Sequence, residues 1–416
     1  MRILWLSGNP SLYTQHKKGY NSGGWIGALE TIVCQQEDIE LAVAFIFNDD
    51  KFKVPINRTV YYPINLYNSR IAKLMHALFY ESYDKIELEK IKKVVEDFKP
   101  DIIHVWGTEI SFGLITKHTN IPVIIHIQGI LNPVFNALLI PGTNKNYYLK
   151  NNAQGILRRL INSQNLRFWK HNTKREIAIF QNCHYFMGRT HWDKNITALL
   201  APNSEYFYCN ELLRTPFYNA KNWQPHYRQK LIITSVLSNP TYKGMDLVLK
   251  CANILKHHSV IDFEWNIWGI TECSFAEKLT GIKAQNVQVK LNGIANAEKL
   301  ISELLNSDMF VHTSYIDNSP NSVCEAQFLG IPIISTNVGG IRSLIKENES
   351  GILVPSNDPY YLASQIIKLF SDKTEAIRLG IKGRIVAKER HNPTVIINAL
   401  ISIYKILVSC QSLIDG

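Results

Sequence analysis

Short, nearly unbroken apolar runs recur along the whole chain and constrain the fold more than any other feature. The first half carries "RILWLS" (2–7), "LAVAFIF" (41–47), "IIHVWG" (102–107), "PVIIHIQG" (122–129) and "HYFMGRT" (184–190). The second carries "LIITSVLS" (231–238), "FEWNIWGI" (263–270), "VQVKLNGI" (287–294), "MFVHTSY" (309–315) and "IPIISTN" (331–337). A strand solvated on one face alternates apolar with polar residues. These runs mostly do not, so they read as strands covered on both faces. Helical patterns fill the intervals, and that alternation builds parallel sheets. A chain of 416 residues exceeds one ordinary core, so two domains are expected. The polar stretch "RTPFYNAKNWQPHYRQK" (214–230), with two prolines and no period, reads as the linker. The expectation is two doubly wound α/β domains with a cleft between them, ligands collecting at the carboxyl ends of the strands.

Composition narrows the class. With 46% hydrophobic and 19% charged residues the chain belongs among folded proteins. Its seven cysteines include no CxxC pair, which suits a reducing compartment and argues against structural zinc. "MRILWLSGNPS" is too short for a signal peptide and reads as a first strand. "VIINALISIYKILV" (395–408) is interrupted by Asn398, Ser402 and Lys405, and reads as a buried amphipathic helix. The net charge of +10 admits nucleic acid, an anionic membrane surface or a phosphorylated ligand as partner. Part of it gathers at Arg158, Arg159, Arg167, Lys170, Lys174 and Arg175, interleaved with Leu157, Leu160, Ile161, Leu166, Phe168 and Trp169. That stretch is either a solvated helix face or a membrane-surface contact. Nucleic acid is not expected, since no helix-turn-helix, RNP or zinc-finger pattern accompanies the charge.

Three strand-to-helix turns hold the candidate chemistry. In "MFVHTSYIDNSPNSVCEAQFLG" Ser319 is placed to cap a helix that starts at Pro320 and stops at Gly330. The amides of Asn321, Ser322 and Val323 then form an anion site at the helix N-terminus. Asp317 before the turn and Glu325 within the helix can accept hydrogen bonds from ligand hydroxyls. Alternatively, Asp317 only starts the turn and Glu325 only complements the helix dipole. In "SVLSNPTYKGMDLVL" the lysine Lys243 can neutralise a phosphate, or can be a solvated side chain. In "SGNPSLYTQHKKGYNSGGWIGALE" Gly23 and Gly24 let backbone approach a ligand, though they form neither a GxGxxG fingerprint nor a P-loop. No metal site is expected, because "FNDD" (47–50) lacks D-x-D spacing.

"YKGMDLVLKCANIL" (242–255), followed by "NVQVKLNGIANAEKLISELLNSDMFVHTSYIDNSPNSVCEAQFLGIPIISTNVGGIRSLIKENESGILVPSNDP" (286–359), resembles the nucleotide-sugar domain of family-4 glycosyltransferases. "GGW", "DIIHVWG" and "PVIIHIQG" extend the resemblance more loosely into the first half. It implies a GT-B architecture of two Rossmann-like domains, with residues 1–215 on the acceptor side and 216–390 binding nucleotide sugar. Residues 391–416 would form a helix crossing back to the first domain. It further implies that Glu325 holds a ribose, Asp317 the donor sugar, and the 321–323 amides with Lys243 a diphosphate. The sequence departs from the family at three positions. Asp317 stands where the family usually has glutamate. Leu237 stands in place of a diphosphate-binding arginine, with Ser238 beside it as a possible donor. Gln128 stands in place of a histidine, with His126 two residues earlier on the same face. Arg189 is a candidate replacement for the lost arginine. The implied reaction is transfer of a hexose from a UDP- or GDP-sugar to a glycan or lipid-linked hydroxyl. It would proceed with retention of configuration and without metal or other cofactor, in surface polysaccharide or glycolipid synthesis. The enzyme would be cytoplasmic, touching the anionic inner face of a membrane. An inert nucleotide-sugar-binding GT-B protein and a nucleotide-sugar epimerase are the alternatives.

Overall fold

The structure is a computed structural model that describes residues 1–14, 24–66, 80–145, 149 and 156–414. The chain divides into two compact units. Unit 1 comprises Met1–Asn132, Ser163–Arg214 and His391–Gly416, and unit 2 comprises Pro133–Asn162 and Thr215–Arg390.

Unit 1 is built on an eight-stranded sheet of β1 (Arg2–Ser7), β2 (Glu40–Ile46), β3 (Val54–Ile56), β4 (Thr59–Ile64), β5 (Ile102–Trp106), β6 (Val123–His126), β7 (Tyr185–Gly188) and β8 (Glu205–Tyr208). Their order is β3-β4-β2-β1-β5-β6-β7-β8, and only β3 runs antiparallel to its neighbour. Ile3 to Leu6, Leu41 to Phe45 and Ile102 to Val105 are completely buried, as expected of strands covered on both faces. The chain moves outward through β2 to β4, then returns to place β5 on the other side of β1. The point of reversal, between β1 and β5, is where such sheets open a binding crevice at their carboxyl edge.

Unit 2 repeats the plan with β9 (Leu231–Val236), β10 (Phe263–Trp268), β11 (Val289–Leu291), β12 (Met309–His312), β13 (Ile333–Thr336) and β14 (Ile352–Val354), ordered β11-β10-β9-β12-β13-β14 and parallel throughout. Its reversal lies between β9 and β12. Trp265, Phe263 and Ile267 from β10, Leu247 to Leu249 from the helix Met245–His258, and Leu362 with Ile366 from the helix Pro359–Ser371 form its core.

The sequence pattern missed four strands. β4 contains Pro63, which ordinarily disqualifies a run as strand. It is tolerated because β3 covers only Thr59 to Tyr61, leaving β4 an edge at the proline. β3 and β14 are only three residues long, and β8 is a half-exposed edge strand. The stretch 214–230, read as the linker, packs along unit 2. Trp223 is buried, and its indole Nε1–H donates to the Ser307 carbonyl at 2.7 Å. The Arg228 guanidinium binds Asp308 at 3.1 Å.

The helix Pro393–Ile414 follows unit 2 in sequence but belongs to unit 1. It buries Ile396, Ile397, Leu400, Ile403, Tyr404 and Leu407, one helical face. Lys373–Cys410 is long and apolar enough to cross a membrane by length and composition, and a third of its most apolar window is buried. Tyr404 makes the specific contact. Its hydroxyl accepts from the Trp5 indole N–H at 3.1 Å and meets His104 Nδ1, tying the helix to β1 and β5. Tyr404→Phe strands both groups in the core, and is expected to cost about 1–3 kcal/mol by urea denaturation.

Candidate functional site

The carboxyl ends of β9 and β12 meet at the unit 2 reversal, and two turns interlock there. The Tyr315 amide donates to the Tyr242 carbonyl at 2.8 Å, and the Thr313 hydroxyl donates to the Lys243 carbonyl at 2.9 Å. Gly244 is left-handed (φ +77°), and a Cβ there would collide with the Thr313 carbonyl, so only glycine permits this approach. From below, the Tyr315 hydroxyl donates to Asp246 at 2.9 Å, and Asp246 also pairs with Lys250.

This interlock brings Lys243 against Asp317, with Nζ 2.6 Å from Oδ2. Lys243 was expected to be an open turn lysine, but it is mostly buried, because Asp317 and the neighbouring turn enclose it. Burial by itself would push the Asp317 carboxyl up. The Lys243 charge and a hydrogen bond from His312 outweigh it and hold the carboxyl well below the usual range. Burial likewise disfavours the Lys243 charge, yet Asp317 keeps it raised above its ordinary value. The pair is therefore ionised across the neutral range.

His312, at the last position of β12, was not singled out from the sequence. Its Nε2 lies 3.1 Å from Asp317 Oδ2 and 2.8 Å from Ser314 Oγ, and its Nδ1 lies 2.9 Å from Ser335 Oγ. Burial, opposed by Asp317, lowers its pKa and keeps it neutral. Gly339 and Gly340 were also missed. Gly340 N–H donates to the Asp317 carbonyl at 2.9 Å, and a Cβ on left-handed Gly339 would strike that same carbonyl. A polar residue closing an apolar run beside the sheet reversal was the available signal for His312.

The helix Asn321–Leu329 begins one residue later than expected. Pro320 is its N-cap, and the buried Ser319 hydroxyl faces Cys324 Sγ at 3.7 Å instead of capping. The Val323 amide is spent on the Pro320 carbonyl at 3.0 Å, so the expected three-amide anion site reduces to Asn321 and Ser322. Glu325 is buried on the second turn. Leu237 is fully buried, so the position cannot present polar chemistry, while Ser238 is exposed at the end of β9.

In unit 1 the helix Gly24–Val33 opens on left-handed Gly24 (φ +66°), and Gly23 lies outside the described residues. Trp25 packs edge-on against Trp106, with ring centroids 5.0 Å apart, and stands 6.1 Å from His126. His126 is buried against Trp106 and stacked near His104; among the described residues neither ring nitrogen has a hydrogen-bond partner, and Nε2 stands 3.8 Å from a Glu211 carboxylate oxygen. Burial, followed by the charges of His104 and Arg189, pushes its pKa well below normal. It is a neutral, buried wall of an aromatic cluster. Gln128, two residues on, is half-buried and hydrogen-bonds to Glu211. The Glu211 carboxyl is pushed up to about 7 by burial, which outweighs the Arg189 charge.

Arg189 is also corrected. It is buried and ion-paired with Glu211, and it leans on the Ile127 carbonyl at 3.4 Å, so it offers no open cation to replace the missing arginine. A second missed carboxylate, Glu109, accepts from the Gly129 N–H at 3.0 Å and is pushed up to about 7 by burial. The basic stretch falls in the helix Ile156–Asn182. Arg175 turns inward to pair with Asp84 at 2.9 Å and is not a surface cation. Arg167, Lys170 and Lys174 are exposed. The side chains of Leu157, Arg158, Arg159, Leu160 and Ile161 lie outside the described residues.

Residues 219–386, which carry the whole Lys243–Asp317 arrangement, match the family model Glycosyl transferases group 1. This segment is a group 1 glycosyltransferase domain. An amylovoran biosynthesis glycosyltransferase, AmsK of Erwinia amylovora, is 27% identical over 39% of this chain and 42% of its own length. The chain matches less than half the length of such relatives. Across the whole fold, sucrose-phosphate synthase of Thermosynechococcus elongatus superimposes with a TM-score of 0.72 at 15% identity, covering 98% of this chain and 99% of that one. Anabaena Alr3699/HepE, solved with UDP and glucose, superimposes with a TM-score of 0.62 at 12% identity, covering 97% and 99%. The architecture of the chain is GT-B, two Rossmann-type units, one on a parallel and one on a mostly parallel sheet.

The ion pair sets an acid limit on unit 2. Asp317, depressed in the folded state, contributes stability that is complete above its unfolded value of about 4 and is lost as pH falls toward the folded one. Lys243→Met is expected to cost about 2 kcal/mol at pH 7. It should also flatten the decline of stability between about pH 4 and pH 2, as read by urea denaturation at each pH.

Proposed function

We propose that the protein is a hexosyltransferase using a UDP- or GDP-sugar, with a glycan or lipid-linked hydroxyl as acceptor and retention at the anomeric carbon. The observation that supports this most is the ionised Lys243–Asp317 pair at the reversal of the group 1 glycosyltransferase domain. A diphosphate at the Asn321 and Ser322 amides would draw Lys243 from Asp317, supplying a point charge that follows the leaving oxygen. Asp317 would be left to accept from donor-sugar hydroxyls, with Glu325 serving the ribose. Holding two substrates together and stabilising the departing diphosphate suffices for the transfer, so the reading asks for no metal. Neighbours bear on the setting. AmsK and a capsular polysaccharide glycosyltransferase, CapM of Staphylococcus aureus, are named for surface polysaccharides, and HepE was solved with UDP and glucose. We place this chain in the same kind of synthesis, in the cytoplasm at the inner face of a membrane.

The buried Leu237 favours a second reading, a GT-B protein that binds nucleotide sugar without turning it over. Incubating the protein with UDP- and GDP-sugars and lipid-linked acceptors, with mass spectrometry of products, decides between them. A glycosylated acceptor supports transfer, and binding without product supports the inert reading. Lys243→Ala is expected to lower kcat by roughly 10²–10³ at a temperature where it remains folded. The wild-type rate should survive EDTA.

Membrane contact through the helix Ile156–Asn182 now rests on Arg158, Arg159, Arg167, Lys170 and Lys174. Each is worth about 1 kcal/mol near an anionic surface. Wild type is expected to pellet with phosphatidylserine vesicles at low salt, and charge reversal at Arg167, Lys170 and Lys174 to release it. Equal pelleting of the reversed protein would remove this helix from the contact.

A further inference from the structure

Asp317 Oδ2 gathers three donors: Lys243 Nζ at 2.6 Å, His312 Nε2 at 3.1 Å and the Ser314 hydroxyl at 3.3 Å. An ionised carboxylate only accepts, so Nε2 is the donor in the His312–Asp317 contact, while Nδ1 meets the Ser335 hydroxyl at 2.9 Å. The Asp317 backbone is separately fixed, by the Gly340 N–H and by Gly339 pressed against its carbonyl. The rotation of its side chain is what remains to be set. If Lys243 goes to a diphosphate, a largely buried carboxylate loses its cation and keeps only His312 and Ser314.

We propose that His312 is a positioning residue: it holds Asp317 aimed and ionised while Lys243 is engaged with the donor diphosphate. The histidine suits this task because it is anchored at both ends, on Ser335 of β13 and on Asp317, and is buried where it cannot swing away. A serine hydroxyl alone, at 3.3 Å, is a weak substitute. The assignment rests on the reading that Asp317 faces the donor sugar. It predicts that His312 affects recognition of the sugar and not of the nucleotide. Lys243 and Asp317 are the charged groups that bear on the imidazole.

The test compares wild type with His312→Leu and with His312→Gln, whose amide N–H can stand in for Nε2–H. Calorimetric titrations use UDP, UDP-glucose, GDP and GDP-mannose. His312→Leu is expected to bind the preferred nucleotide sugar about ten-fold more weakly, the scale of one lost hydrogen bond to a charge, and to bind the matching diphosphate within about two-fold of wild type. His312→Gln should recover most of the loss. Equal weakening of both ligands, or unchanged nucleotide-sugar affinity, overturns the assignment. In parallel, the Asp317 carboxyl carbon resonance is followed through acid without ligand. Its midpoint should rise in His312→Leu, and an unmoved midpoint also overturns the assignment. A wild type that binds none of the four ligands removes the glycosyltransferase reading. The carboxyl titration would then still decide whether His312 governs Asp317.

Discussion

The Lys243–Asp317 ion pair joins the two strand ends on which unit 2 reverses its direction, and much of the surrounding structure exists to make it possible. Two charges can be kept largely out of water only if each is closely matched and the remaining lone pairs are filled. Lys243 reaches Asp317 because Gly244 lets its turn touch the Thr313 carbonyl, and because the Tyr242 and Lys243 carbonyls are both bonded to the neighbouring turn. Asp317 is met because Gly339 and Gly340 seat its backbone. The pair is thus the output of two interlocked turns.

The corresponding edge of unit 1 follows different physics. Trp25, Trp106, His104 and His126 form a packed aromatic group, and burial keeps the imidazoles uncharged. Among the described residues this edge holds Arg189 paired with Glu211, and burial raises the Glu211 and Glu109 carboxyls to about 7. An edge of this kind suits a ligand carrying hydroxyls and little charge, whereas the unit 2 edge suits an anion. The two sheets share a topology and differ in the electrostatics of their carboxyl ends.

Much of the architecture was legible because a strand buried on both faces must be written as an apolar run, and ten such runs are present. β4 was hidden by Pro63, acceptable only because its partner strand stops short, a fact about pairing that local sequence does not hold. Lys243, Asp317 and Glu325 could be marked as candidates because turn residues and helix starts leave local marks. Their environment could not. Nothing near Lys243 in sequence reports that Asp317 encloses it, and nothing near Arg189 reports Glu211, since both pairings are made by tertiary packing. His312 escaped because one polar residue in an apolar run resembles an ordinary core histidine. Ser319 and Pro320 were misplaced by one position, the usual slack in reading a helix start without its backbone angles.

Tyr404 has a consequence for how the chain is made. Its hydroxyl completes the bonding of Trp5 and His104, yet it emerges from the ribosome after every residue of unit 2 has been synthesised. Domains generally mature in the order of their synthesis. Here the order is inverted, because unit 1 cannot finish its core until the helix that follows unit 2 has been made. Until then Trp5 and His104 lack the hydroxyl that both use in the folded unit. The helix Pro393–Ile414 thus serves unit 1 and not the unit it follows in sequence.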